Sequence, residues 1–259
     1  MGDRGALPAE PTLCPPLPDS ATSRFDGGCA ALGLGPLPAG ARDAILGHLR
    51  LLLAWTGSVN LTAIRDPEAA VTGHLLDSLA AVPLLRSAGV RRLLDLGSGG
   101  GYPGLPIALA LPAERALLVD SITKKTAFLT VAAAAAGVAA RVEVATTRVE
   151  ELAADRQHRE RWPAVTVRAV ATLPELVELA FPLLAPGGLL VAWKRSDVAE
   201  EERRASPAIA ALGGGTLDVV PLAAPLAGLE DHVLVTVRKE GRTSAGWPRP
   251  PAERKRHPW

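Results

Sequence analysis

The chain has 259 residues, 48% of them apolar, and a formal net charge of +1, which suits one large core with modest extensions. So balanced a charge excludes a globally basic nucleic-acid binder, and any attraction to a polyanion must come from local patches. Two cysteines, Cys14 and Cys29, exclude a disulfide framework and lack metal-ligand spacing, so no metal is expected and a reducing cytoplasm fits.

The opening residues carry no apolar core of signal-peptide length, and no later segment reads as a membrane span. Prolines at 8, 11, 15, 16 and 18 make residues 1–30 read as a disordered leader. Between 38 and 57, Ile45, Leu49, Leu52 and Leu53 recur at helical spacing, and Asp66-Pro67-Glu68 is a strong helix start. A helical extension over 31–88 is therefore expected ahead of a main domain over 89–240.

Val90, Leu93, Leu94 and Leu96 then form a short buried strand, followed at once by Gly97-Ser98-Gly99-Gly100-Gly101-Tyr102-Pro103-Gly104. Glycines there let the chain turn sharply and bring backbone N–H groups close to a ligand. Apolar runs at Ala116–Asp120, Val142–Ala145, Ala164–Ala169 and Leu189–Trp193 alternate with helical stretches, including one from Thr123 through the alanine run 132–136. Thr216–Leu222 and His232–Arg238 follow as a closing antiparallel pair. The rhythm predicts an α/β fold with a Rossmann-like, seven-stranded, mostly parallel sheet and helices on both faces. The last residues, 241–259, read as an unstructured basic tail.

A nucleoside is the ligand such a turn suits, either in a nicotinamide or in a methyl donor. The literal G-x-G-x-x-G at Gly99, Gly101 and Gly104 is displaced from the strand end; counted from Gly97 and Gly99, Tyr102 stands where a third, helix-packing glycine belongs. Asp95, two residues before the glycines, favours a methyl donor and resembles the first motif of class I S-adenosylmethionine-dependent methyltransferases. Asp120, ending the second strand, can accept both ribose hydroxyls in either cofactor class. A third group, Val149-Glu150, follows the third strand, where an acid or backbone atom can meet an adenine edge.

The chain also resembles the bacterial 16S ribosomal RNA guanine-N7 methyltransferases, the glucose-inhibited division protein B family. The likeness runs through Asn60–Glu68 (NLTAIRDPE), His74–Ala80 (HLLDSLA), Asp95–Ala108 (DLGSGGGYPGLPIA), Leu118–Leu129, Thr147–Leu152, Arg168–Gly188 and the closing WPRPPAERKRHPW. It implies S-adenosylmethionine as cofactor, with contacts at Gly97, Tyr102, Val149, Glu150 and Arg168, beside Ser98 and Gly99 of the glycine turn and Asp120 at the end of the second strand as further cofactor candidates. The implied target is N7 of the 530-loop guanine usually numbered 527. An acceptor that is a small molecule or protein, or a non-catalytic RNA-binding protein on the same fold, are the alternatives.

Three positions depart from the family pattern: Gly73, Val167 and Arg195. Guanine N7 has an in-plane lone pair and no hydrogen, so no general base is required. Asn60, His74 and Asp77 are candidates for the base pocket, with His74 and Asp77 one helical turn apart, and Arg168 is a candidate to orient the base or the methionine carboxylate. RNA contacts are expected at Lys124, Lys125, Lys194, Arg195, Arg249, Arg254, Lys255 and Arg256, with Trp247 and Trp259 stacking on bases. The expected partner is 16S rRNA or the small ribosomal subunit, met by a cytoplasmic monomer.

Overall fold

The computed structural model describes residues 6–168, 171–222 and 226–259. Ala169, expected in the fourth strand, and residues 1–5 of the expected leader lie outside these.

The N-terminal part is helical: α1 (Asp19–Ala31), α2 (Ala41–Trp55), then α3 (Pro67–Ala70), a π-helical segment (Val71–Leu76) and α4 (Asp77–Leu79) in one continuous run, and α5 (Val82–Ser87). The main domain follows as β1 (Arg92–Leu96), α6 (Gly104–Ala110), β2 (Arg115–Asp120), α7 (Thr123–Ala135), β3 (Val142–Thr146), α8 (Val149–Ala154) and β4 (Trp162–Arg168). It continues with α9 (Leu173–Ala180), β5 (Leu184–Arg195), α10 (Ala199–Ala211), β6 (Gly215–Pro221), β7 (His232–Lys239) and α11 (Pro251–Arg256).

The seven strands lie in the order β3-β2-β1-β4-β5-β7-β6. All neighbours through β5 are parallel, and β7 enters antiparallel between β5 and β6. The chain therefore reverses direction across the sheet between β1 and β4, and the carboxyl ends of these strands open a crevice there, where open α/β sheets take ligands. Central strands β1, β2 and β4 are buried on both faces and read as apolar runs for that reason. One side of the sheet packs on α2, α6 and α7 with the N-terminal helices, the other on α8, α9 and α10.

Residues 1–30 are not a disordered leader over their described part. Phe25 and Ala21 on α1 are fully buried, and Gly28 sits so close to the π-helical segment that a Cβ would lie 2.3 Å from Leu76. The proline-rich stretch before α1 is held through its carbonyls. Trp55 Nε1 donates to Pro8 O at 2.7 Å, and Arg50 donates to Pro15 O at 3.0 Å and Cys14 O at 2.5 Å. Proline loses a donor and keeps its acceptor, so such a segment, with only a single 3-10 turn (Pro11–Leu13) of its own, can be pinned by donors from a neighbouring helix.

The 241–259 segment is likewise ordered. It contains the short helix α11, and two of its cations, Arg249 and Arg254, fold back on acids of α8 and α9.

Two adjoining cavities at the carboxyl ends of the strands

The glycine turn is stitched to the end of β2. Ser98 N donates to Val119 O, Ser98 Oγ accepts from Val119 N at 3.1 Å and donates to Asp95 O at 3.0 Å, and Gly99 N donates to Asp120 Oδ2 at 3.0 Å. Gly97, Gly99 and Gly101 all have positive φ, between 54° and 92°, which other residues adopt only at a cost. Ser98 therefore braces the turn from within the fold rather than presenting its hydroxyl to a ligand, a correction to its expected role.

Gly104 carries the helix-packing task. A Cβ there would lie 2.5 Å from Leu118 Cδ2 and 2.6–2.7 Å from the Asp95 side chain. The third glycine of the literal motif thus lets α6 close onto β1 and β2, so Gly104, and not Tyr102, stands at the helix-packing place. Asp95 itself is fully buried; burial raises its pKa to about 6 despite the hydrogen bond from Thr166 Oγ1 at 2.7 Å. Its Oδ2 has no partner among the described residues.

Tyr102 is buried and lines neither of the two cavities at the strand ends. Its ring is sandwiched between His48 at 4.5 Å and His74 at 4.8 Å, with the Arg168 guanidinium 5.6 Å from its centroid. Burial lowers both histidines to about 4, so each is neutral near pH 7; Arg168 adds to the effect on His74. His48 Nε2 donates to Gly100 O at 2.7 Å, which ties α2 to the glycine turn.

A cavity of about 420 Å³ lies over the ends of β1, β2, β3 and β4. Gly97, Asp120, Val149, Glu150 and Arg168 line it; Ser98, Gly99 and Tyr102 do not. Asp120 holds one carboxylate oxygen on Gly99 N and the other on Ile122 N, which fixes it at the mouth. Ile122 lies on the wall 47% exposed, an apolar side chain left open where most are covered. Glycine turn, fixed carboxylate, exposed aliphatic wall and first-turn acid on α8 suit a nucleoside donor set, so the residues present fit S-adenosylmethionine.

A second cavity, about 480 Å³, adjoins the first across Arg168 and Ala171, which line both. Its wall includes His74, Asp77, Trp193, Lys194, Arg195, Asp197, Glu201 and His232. Asp77 is its hub: Oδ2 accepts from Arg168 Nη1 at 2.8 Å, Oδ1 accepts from His232 Nδ1 at 2.8 Å, and its carbonyl accepts from Trp193 Nε1. Arg168 also donates to Gly73 O, within the π-helical segment; such widened turns occur often at functional sites. His74 sits with Nε2 at 2.7 Å from Thr62 Oγ1 and Nδ1 toward Arg168, an arrangement the Nε2–H tautomer satisfies. The departures Gly73 and Arg195 line this cavity together, while Val167 lines the first.

Of the base-pocket candidates, His74, Asp77 and Arg168 come together here. Asn60 is exposed after α2 and lines neither cavity. His232 and Trp193 join the hub unannounced, because they lie 155 and 116 residues from Asp77 and carry no local signal.

The expected RNA cations fall into two groups. Lys124 is exposed, as are Arg195, paired at the surface with Asp231, and Lys255 and Arg256 on α11. The other four are engaged: Lys125 lies 3.9 Å from Asp120, Lys194 2.6 Å from Glu201, Arg249 on Glu178, and Arg254 on Glu150 and Glu175. Trp247 and Trp259 stack on one another rather than standing free. Among the described residues no group of three His, Cys, Asp or Glu side chains forms a metal site, and no helix is long and apolar enough to cross a membrane.

Sheet order, glycine turn and the acid ending β2 define a class I methyltransferase of the S-adenosylmethionine-dependent type. The same fold is seen in the O-methyltransferase TomG of Streptomyces achromogenes, solved with S-adenosylmethionine. It matches with a TM-score of 0.51 over 75% of this chain and 90% of that one, at 21% identity. The family model for rRNA small subunit methyltransferase G matches residues 42–227, and the chain belongs to that family. Relatives named ribosomal RNA small subunit methyltransferase G include that of Roseiflexus sp. (strain RS-1), 43% identical over 76% of this chain and 83% of its own length. That of Cupriavidus necator is 40% identical over 85% of this chain and 97% of its own.

Proposed function

We propose that the protein transfers a methyl group from S-adenosylmethionine to N7 of the 530-loop guanine of 16S rRNA, with the cofactor in the first cavity and the base in the second. The observation that carries this reading is the shared wall: Arg168 lines both cavities and is fixed by Asp77, so the two ligands meet across one immobilised side chain.

Cofactor contacts follow the strand order. Gly97 and Arg168 face the β1–β4 crevice for the methionine end, Asp120 takes the ribose hydroxyls, and Val149 with Glu150 lies at the adenine end. When bound, the cofactor supplies an electrophilic methyl carbon on a sulfonium. N7 brings its own lone pair, so no residue need take a proton; the chain would align N7 with the methyl carbon opposite the sulfur, which would leave as a neutral thioether, and exclude water, worth on the order of 7–11 kcal/mol.

The methylated base is cationic. Asp77 supplies a buried carboxylate that balances the Arg168 guanidinium beside it, and the neutral state of His74 adds no further positive charge. Trp193 and His232 complete the wall against which an unstacked base would rest; extracting it costs a few kcal/mol. Exposed Lys124, Arg195, Lys255 and Arg256 are the phosphate contacts in this reading.

His232 lines only the second cavity of the two. His232→Gln should therefore lower kcat/KM for small subunits lacking the modification, with S-adenosylhomocysteine affinity unchanged in calorimetry. Equal loss of cofactor affinity would contradict the division into two sites.

A further inference from the structure

We propose that the segment from Trp247 to Trp259 carries Arg254 into the wall of the cofactor cavity and that Arg254 is a positioning residue for Glu150, not an RNA contact. The inference rests on the reading of the first cavity as the cofactor site.

The segment is anchored far more firmly than a phosphate-seeking arm would be. Glu178 on α9 is fully buried and accepts from Arg249 N at 2.8 Å, Arg249 Nη2 at 2.6 Å and Trp259 Nε1 at 2.6 Å. The Arg249 guanidinium lies 5.0 and 4.9 Å from the ring centroids of Trp247 and Trp259, which stack at 5.5 Å. Arg159 holds Trp247 O at 2.9 Å and Arg204 holds Trp259 O at 2.8 Å. A buried carboxylate with charge-assisted donors on both oxygens is a strong fastening, because freeing either partner leaves a charge without water.

That fastening delivers Arg254 to the cavity mouth. Its Nη2 donates to Glu150 Oε1 at 2.6 Å, its Nε to Glu175 Oε1 at 3.3 Å, and its Nη1 to Arg249 O at 2.5 Å, so each part of the fork is used. The side chain is only 11% exposed, too covered to meet a phosphate without breaking these bonds. Glu150 Oε2 has no partner among the described residues and is left available to the cavity. With methionine at β1–β4 and ribose at Asp120, that oxygen lies at the adenine end, where an exocyclic amino group would donate to it. Without Arg254, Glu150 and Glu175 would face each other uncompensated, and Glu150 would lose its fixed rotamer.

The test compares wild type, Arg254→Ala, Arg254→Lys and the double variant Lys255→Ala/Arg256→Ala. S-adenosylhomocysteine binding is measured by calorimetry, kcat and S-adenosylmethionine KM by methyl transfer, and 16S RNA affinity by filter binding. Arg254→Ala should weaken cofactor binding and raise its KM about ten-fold or more, the loss of one charged hydrogen bond, with kcat and RNA affinity within two-fold of wild type. Arg254→Lys should recover part of the loss, which a folding defect would not do. The double variant should do the reverse, lowering RNA affinity alone.

Cofactor affinity unchanged in Arg254→Ala with RNA affinity reduced overturns the proposal in favour of an RNA arm. Absence of cofactor binding in the wild type would instead contradict the reading of the cavity itself.

Discussion

Replacing Gly104 by alanine tests the account of the glycine turn most sharply, because the added methyl has nowhere to go. Its Cβ would lie 2.5 Å from Leu118 Cδ2, 2.6 Å from Asp95 Cβ and 2.7 Å from Asp95 Oδ2, each well inside van der Waals contact. Overpacking of this kind costs about 1–3 kcal/mol. Displacing Asp95 strains its 2.7 Å hydrogen bond from Thr166, worth about 0.5–1.5 kcal/mol. Alanine's helix propensity returns about 1 kcal/mol at most.

The net loss is about 0.5–3.5 kcal/mol, or a fall in Tm of roughly 1–14 °C for a chain of this size. Gly27→Ala provides the contrast: it lies inside α1 with nothing within 4 Å of its added Cβ, and should stabilise by about 0.5–1 kcal/mol. Calorimetry of the three proteins decides the matter. A Gly104→Ala protein as stable as wild type would refute the close helix–strand packing from which the role of this glycine was argued.

Acidification should destabilise the protein between about pH 6.5 and 4. His48 and His74 titrate near 4 when folded against 6.5 otherwise, so the unfolded chain binds more protons in that window and stability falls with pH, by up to roughly 3 kcal/mol each. Asp95, raised to about 6 from 3.8, acts oppositely and offsets part of the loss. A urea midpoint that stays flat or rises on acidification would count against the buried histidine stack. Phe25→Ala should cost about 3–5 kcal/mol in urea unfolding, since the ring is fully buried; an unchanged midpoint would restore a detached N-terminal segment. Arg195→Ala should reduce the log–log salt slope of RNA binding by about 0.7–0.9, and an unaltered slope would remove Arg195 from the phosphate contacts.

The parallel sheet was legible because β1, β2 and β4 are buried on both faces and spell it in continuous apolar runs, and the crevice because glycines mark it. The strand-end residues Gly97, Asp120, Val149, Glu150 and Arg168 follow from that periodicity with the family likeness, and they line one cavity. What stayed hidden depends on partners distant in sequence. Prolines before α1 look structureless until Arg50 and Trp55 supply donors to their carbonyls. All the tail's cations look free until Glu150, Glu175 and Glu178, which lie 71 to 104 residues away, take up Arg249 and Arg254. Charge along a chain shows how many cations exist; only packing shows which remain free.

The central claim is the identity of the methylated atom. Small subunits from cells lacking the modification, incubated with the protein and isotopically labelled S-adenosylmethionine, should yield one labelled nucleotide, and mass spectrometry of the digested RNA should place it as 7-methylguanosine in the 530 loop. Label on another base or another atom of guanine, or no transfer by a protein that binds the cofactor, would contradict the account.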